Sequence, residues 1–125
     1  MTYYLAIALG GAVGAMSRYW LSTFVEKYNS GVFPISTVVV NLIGSLLIGV
    51  FFVLLSEKIQ LATHLRPLII IGFLGALTTF STFSIDALLL MQQGYYSTAA
   101  GYIVVSVSSC IAAAWFGMTV TRLVV

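Results

Sequence analysis

Gly72-Phe-Leu-Gly-Ala-Leu-Thr-Thr-Phe-Ser-Thr-Phe-Ser84 decides how this chain folds. It lies inside an apolar segment that runs from about Pro67 to Met91, longer than the ~20 residues a helix needs to cross a bilayer. Its centre nonetheless carries Gly72 and Gly75, the hydroxyl residues Thr78, Thr79, Ser81, Thr82 and Ser84, and Phe80 and Phe83 three positions apart. Hydrocarbon offers no hydrogen-bond partner to a bare backbone group. A glycine/threonine interruption at mid-depth must therefore be buried in protein or line a cavity. Interrupted spans of this kind mark binding and permeation sites in transporters.

The rest of the chain agrees with a membrane setting. Of its 125 residues 61% are hydrophobic and 6% charged, against about 25% charged in a soluble domain. The mean hydropathy is +1.12. The expected surroundings are a lipid bilayer. Five basic and three acidic residues give a net charge of +2, too little positive surface for nucleic acid. The single cysteine, Cys110, leaves no intrachain disulfide. No residue set resembles a catalytic triad or metal cluster, so an enzyme is not expected. His64 is expected as a solvated loop residue. The N-terminus does not read as a cleaved signal: it has no basic leader, and its apolar run continues past Arg18 to about Phe24.

Four spans are legible, at about Tyr3–Phe24, Pro34–Ser56, Pro67–Met91 and Thr98–Thr121. The expected fold is thus all-α: one four-span domain over residues 1–125, its third helix broken near the centre. The joints carry turn and charge signals in Glu26–Gly31, Ser56–Arg66 and Gln92–Gly94, and Pro34 and Pro67 open their spans. Four spans put both termini and the second loop on one side with Lys58, Arg66 and Arg122, against Lys27 and Arg18 on the other. Orientation follows a Lys/Arg imbalance. Three against two allows insertion both ways up, or a single orientation if one charge suffices. Four helices also form a thin wall around a wet path, which points to an oligomer. A pair of inverted copies would mimic the inverted repeats of larger transporters. Such copies would meet near mid-depth, and Thr79 is the midpoint of span three by count.

Several side chains could carry transport. Arg18 lies one to two turns inside the end of span one, where a charge costs less than the about 2.5–3.5 kcal/mol of the bilayer centre. It either snorkels to headgroups or stands at the mouth of an anion path. The preceding Gly10-x-x-x-Gly14 is a close-packing face. Asn41 needs a partner in lipid: an interhelical hydrogen bond or, as a neutral donor, a passing anion. Phe80 and Phe83 share a helix face. Their ring edges are positive and could hold an anion without the formal charge that would slow its escape; as a bare pattern they are also ordinary packing. The hydroxyls of span three, Ser81 and Thr82 included, could satisfy freed backbone or line a wet path. Unwound carbonyls could instead coordinate a cation. Tyr102, Ser106 and Cys110 fall at i, i+4 and i+8 on span four. Asp86 is the only acid inside a span.

Taken together, Gly10-Gly11-x-x-Gly14-Ala15-x-x-Arg18-Tyr19, Asn41-x-x-Gly44-Ser45-x-x-x-Gly49 and Gly72-Phe73-x-Gly75-x-x-Thr78-Thr79-Phe80-Ser81-Thr82-Phe83-Ser84 resemble the Fluc (CrcB) family of bacterial fluoride channels. The resemblance runs through all four spans. It implies a passive, fluoride-selective channel in the bacterial inner membrane, built as an inverted, dual-topology homodimer with two pores. It implies a fluoride pathway with Asn41, Phe80, Phe83, Ser81, Thr82, Tyr102 and Ser106, and Arg18 at the pore mouth. It further implies a structural sodium ion held by the backbone carbonyls of Gly75 and Thr78. The chain departs from the family pattern at Cys110, where a hydroxyl is more usual, at Asp86 in place of Glu, and at Ser36 in place of Gly. Two other readings fit a small four-span protein. A small multidrug exporter needs an acid in the middle of span one, and none stands there. A structural subunit of a larger complex would be inactive alone.

Overall fold

The computed structural model describes residues 1–58 and 64–125. Residues 59–63, the middle of the expected second loop, lie outside that description. The described residues form helices and turns only. Helix α1 is Thr2–Glu26 and α2 is Ile35–Phe52, prolonged by a π-helical stretch, Val53–Lys58. The third rod opens as a π-helix, Pro67–Leu74, continues through one α-turn, α3 (Gly75–Leu77), and resumes as α4 (Phe80–Gln92). Helix α5 is Tyr96–Val124. Helical rods thus stand where the four spans were expected, with their ends moved by a few residues.

Three rods, Ile35–Lys58, Pro67–Gln92 and Tyr96–Val124, are long and apolar enough to cross a membrane. Helix α1 is long enough at 25 residues, but its tyrosines, glycines and Arg18 dilute its apolar character. The chain is a multi-pass helical membrane protein. Its outward faces carry Leu9, Ile71, Ile111 and Trp115, all exposed, an arrangement suited to acyl chains.

Small residues set how closely the rods approach. The Gly10-x-x-x-Gly14 face of α1 is in use: a β-carbon at Gly10 would strike the Leu68 carbonyl oxygen, and one at Gly14 the Phe73 carbonyl oxygen. From the opposite side, a β-carbon at Gly72 would lie 2.7 Å from the carbonyl oxygen of Ile7. The π-helical opening therefore packs on α1 backbone to backbone. Helices α2 and α5 do the same, with Gly49 against Ala114 and Gly117 against Leu46. Lipid supplies no hydrophobic drive between helices, so close van der Waals packing of this kind holds such bundles.

Two small cores result, one on each side of the break. Val40, Leu74 and Leu77 form the first, with Leu21, Leu47 and Phe73 against it. Phe83, Ala87, Leu90, Ala99 and Tyr102 form the second, between α4 and α5. The α4–α5 turn is sealed by a Schellman pattern. The Tyr95 N–H bonds to the Leu90 carbonyl at 2.9 Å and the Gly94 N–H to Met91 at 3.0 Å. Gly94 takes the left-handed conformation (φ 85°) that this motif requires. His64 is an exposed turn residue whose ring stacks on Tyr3 at 5.3 Å.

Overfilling the α1 contact should be costly. Gly72→Val is expected to destabilise the protein by about 1–3 kcal/mol or more, seen as a lower melting temperature of the detergent-solubilised protein. Gly94→Ala, in the turn, should be milder, because no atom lies within 4 Å of an added β-carbon there and only the backbone conformation is strained.

Candidate functional site

The helix breaks later than the glycine pattern suggests. Gly75, expected at the break, is helical at φ −63° and begins the α3 turn. The Thr78 N–H still reaches the Leu74 carbonyl at 3.0 Å, and the Thr78 hydroxyl donates to the same oxygen at 2.9 Å. The chain turns extended only at Thr78 (ψ 155°) and Thr79 (φ −149°, ψ 118°). The glycine/threonine interruption expected near the centre of the span is therefore centred on Thr78–Thr79. The cause is a side chain on α2, not the glycine's freedom.

That side chain is Asn41. Its Oδ1 accepts the Thr79 N–H at 2.7 Å, and its Nδ2 donates to the Thr79 carbonyl at 2.9 Å. One amide thus takes over both backbone groups of the residue that leaves the helix. Each bond contributes about 0.5–1.5 kcal/mol net, but an unsatisfied backbone group in hydrocarbon would cost several times that. The interhelical partner expected for Asn41 is thereby identified. A cap follows at once: Thr79 Oγ1 accepts the Thr82 N–H at 3.1 Å, opening α4. Ser81 and Thr82 gather around that cap, their hydroxyl oxygens 3.3 and 3.0 Å from Thr79 Oγ1, and both residues are exposed.

Beside the break lies a cleft of about 290 Å³ between α2, the start of α4 and α5. Asn41, Gly44, Ser45 and Ile48 line it from α2, Thr78, Thr79, Phe80 and Phe83 from the third rod, and Ser106, Val107 and Cys110 from α5. Gly44 makes room for the break, since a β-carbon there would collide with the Thr78 methyl. The sequence-predicted residues Asn41, Phe80, Phe83 and Ser106 thus share one wall system, with no charged side chain among the lining residues. Phe80 is 76% exposed on this face and Phe83 9%, their ring centroids 5.3 Å apart and tilted by 42°. Ser106 is buried, and its hydroxyl has no hydrogen-bond partner among the described residues. A buried hydroxyl without a partner is rare enough to call for an explanation.

Tyr102 stands apart. It is fully buried behind Phe83, at 5.3 Å between centroids, and edge-on to Phe33 at 5.6 Å. Its hydroxyl donates to Asp86 Oδ2 at 3.1 Å, and Thr37 donates to the same oxygen at 2.7 Å. Asp86 is thus tied down by hydroxyls from α2 and α5. Thr37 was not legible as a site residue. The available signal was Asp86 itself, because a carboxylate in a span requires donors from its neighbours. Ser36, the departure from the family's glycine, donates to Glu26 Oε1 at 3.1 Å and ties the start of α2 to the end of α1.

Arg18 is directed at the break, its Nη1 3.4 Å from the Thr78 carbonyl oxygen. Gly75 is exposed, and its carbonyl loses the usual fourth-residue donor because the Thr79 N–H is turned to Asn41. At the far end of the bundle, Arg122 and Glu57 form a two-point ion pair at 2.6 and 3.1 Å. Both groups are well exposed, so solvent screens the pair.

Removing the Asn41 clamp tests this geometry. Asn41→Leu, close in size but without donors or acceptors, leaves two backbone groups of Thr79 unpaired. It is expected to cost about 1–3 kcal/mol per stranded group, measured as a fall in melting temperature.

A multi-pass helical protein with a small, uncharged polar and aromatic cleft at a helix break belongs to the broad class of membrane transport proteins. The model of the family described as CrcB-like protein, Camphor Resistance (CrcB), matches residues 5–118. The chain belongs to this family. It is 45% identical over 118 residues to the fluoride-specific ion channel FluC of Magnetococcus marinus, covering 94% of this chain and 96% of that one. It is 48% identical over 118 residues to the protein of the same name from Hahella chejuensis, covering 94% and 93%. The Pseudoalteromonas translucida protein, also so named, is 48% identical over 112 residues, covering 90% and 93%. The family is one of ion channels, not of enzymes.

Proposed function

We propose that this protein is a passive, fluoride-selective anion channel of the bacterial inner membrane. The observation that carries this reading is the cleft at Thr78–Thr79. It joins polar hydrogen and aromatic edges around one small space and holds no formal charge. Asn41 retains one amide hydrogen beyond its bond to Thr79, and the Ser106 hydroxyl is free to turn toward a guest. The edges of Phe80 and Phe83 carry partial positive charge. Helix α4 begins at the cleft, where the first-turn N–H groups and the positive end of the dipole favour an anion. Each contribution is modest, and that suits conduction, which requires release as well as binding. The relatives' name supplies fluoride as the ion.

All four rods cross the membrane in this reading, and two copies associate inverted to give two pores. Tyr102 supports the Phe83 ring from behind, and the hydroxyls of Ser81 and Thr82 lie along the pathway beyond the break. Arg18 contributes positive potential at the pore mouth. Hydrogen fluoride enters cells as a neutral acid and dissociates inside. An inside-negative potential, worth about 2.3 kcal/mol per charge per 100 mV, then drives the anion out. The Gly75 and Thr78 carbonyls suit a hard cation such as sodium, which prefers oxygen ligands. Such an ion would add a fixed positive charge near the two-fold axis. The single Arg18 contact to Thr78 is long and yields readily.

Reconstitution in liposomes with a fluoride electrode is the deciding experiment. The protein should pass fluoride and exclude chloride; no fluoride flux, or equal chloride flux, overturns the proposal. Phe80→Ile and Phe83→Ile should each reduce fluoride efflux by at least tenfold while leaving the purified protein monodisperse. Wild-type flux in both variants would refute the ring-edge mechanism. For the inverted pair, a tag on one terminus should be labelled by a membrane-impermeant reagent from both membrane faces, and a single orientation for every copy removes the antiparallel dimer.

A further inference from the structure

The feature left without a role is Cys110. It is the only cysteine of the chain, half-buried, with a free thiol, and it lines the cleft with Asn41, Phe80, Phe83 and Ser106. A cysteine on a lipid-facing or tightly packed surface is chemically inert, because the reactive species is the thiolate and an apolar setting suppresses it. Cys110 is placed otherwise. Ser106 precedes it by one helical turn on the same cleft wall, 5% exposed, with its hydroxyl unpartnered among the described residues. A buried hydroxyl on a cleft wall with no protein partner gains one when it turns to a polar guest in the cleft. The same cleft borders Cys110, so small solutes that enter it reach the sulfur.

We propose that Cys110 is a thiol-modification site that closes the anion path, open to small thiol-reactive electrophiles entering through the cleft. The inference rests on the channel reading of that cleft. Methyl methanethiosulfonate is a suitable probe. The Cys110 thiolate attacks the sulfenyl sulfur, a new S–S bond forms, the S–SO2 bond breaks, and methanesulfinate leaves with the electron pair. The thiol proton goes to water. The product carries an apolar methylthio group on a wall now shared by a hydroxyl and an amide, narrowing the cleft and removing polar surface from it. A dithiol reverses the reaction by exchange through a mixed disulfide.

The test uses the full-length protein in liposomes, with two readouts on the same sample: intact mass and fluoride efflux. One methylthio adduct should form on the folded protein, efflux should fall by at least tenfold, and dithiothreitol should restore both. Cys110→Ser is scored by the ratio of treated to untreated efflux, so its own basal rate cancels, and that ratio should be one. The assignment is overturned if the adduct forms only after unfolding in detergent, if full labelling leaves efflux unchanged, or if the serine variant is blocked equally. Absence of fluoride efflux before any reagent instead defeats the channel reading, and with it the block. Failure of labelling on a conducting channel defeats the cysteine assignment alone.

Discussion

Everything in this bundle depends on how one helix is allowed to stop in the middle of a membrane. Hydrocarbon offers no hydrogen-bond partner at that depth, so the peptide groups of Thr79 are satisfied by partners within the protein. The amide of Asn41 supplies both, with an acceptor at 2.7 Å and a donor at 2.9 Å. The side chain acts as a detached piece of backbone, one donor and one acceptor at the correct spacing, borrowed from the neighbouring helix. With that substitution made, the third rod is two helices that share a line. The first is anchored to α1 through the Gly10, Gly14 and Gly72 contacts, the second to α5 through the Phe83–Tyr102 core.

The cleft follows from the same interaction. The cleft opens beside the extended backbone at Thr78–Thr79, Gly44 admits the Thr78 methyl, and Phe80 and Phe83 at the restart line the opening. Helix start, aromatic edges and hydroxyls converge there without being recruited separately. Asp86 is kept out of the cleft by Thr37 and Tyr102, which hold its carboxylate at 2.7 and 3.1 Å on the far side of Phe83. An anion path can therefore coexist with an acid in the same helix.

Much of this was legible in the sequence because lipid leaves few options. A glycine- and hydroxyl-rich centre in an apolar span reads as a break, Asn41 in an apolar span must find a partner, and Gly-x-x-x-Gly reads as a contact face. Proline and glycine marked the helix ends within a few residues. What the sequence did not reveal is which residue leaves the helix. Glycine permits a break but does not cause one, and Gly75 remains helical because Thr78 still bonds to Leu74. The cause sits 38 residues away in Asn41, and local propensity carries no record of so distant a partner. Tyr102 was placed with Ser106 on one stripe by its spacing. Both are buried on that stripe of α5, but Ser106 lines the cleft while Tyr102 packs behind Phe83.

The Asn41 clamp also bears on how such a chain can change over generations. A residue that both holds the backbone and faces the cleft is tied to two selective pressures at once, and almost no other side chain offers a donor and an acceptor at that reach. Cys110 faces the same cleft without holding anything in place, since its thiol pairs with no backbone group among the described residues. Mutational drift around this cavity should therefore concentrate on the α5 wall. Lineages could there acquire different chemical sensitivities while the helix break they share stays fixed.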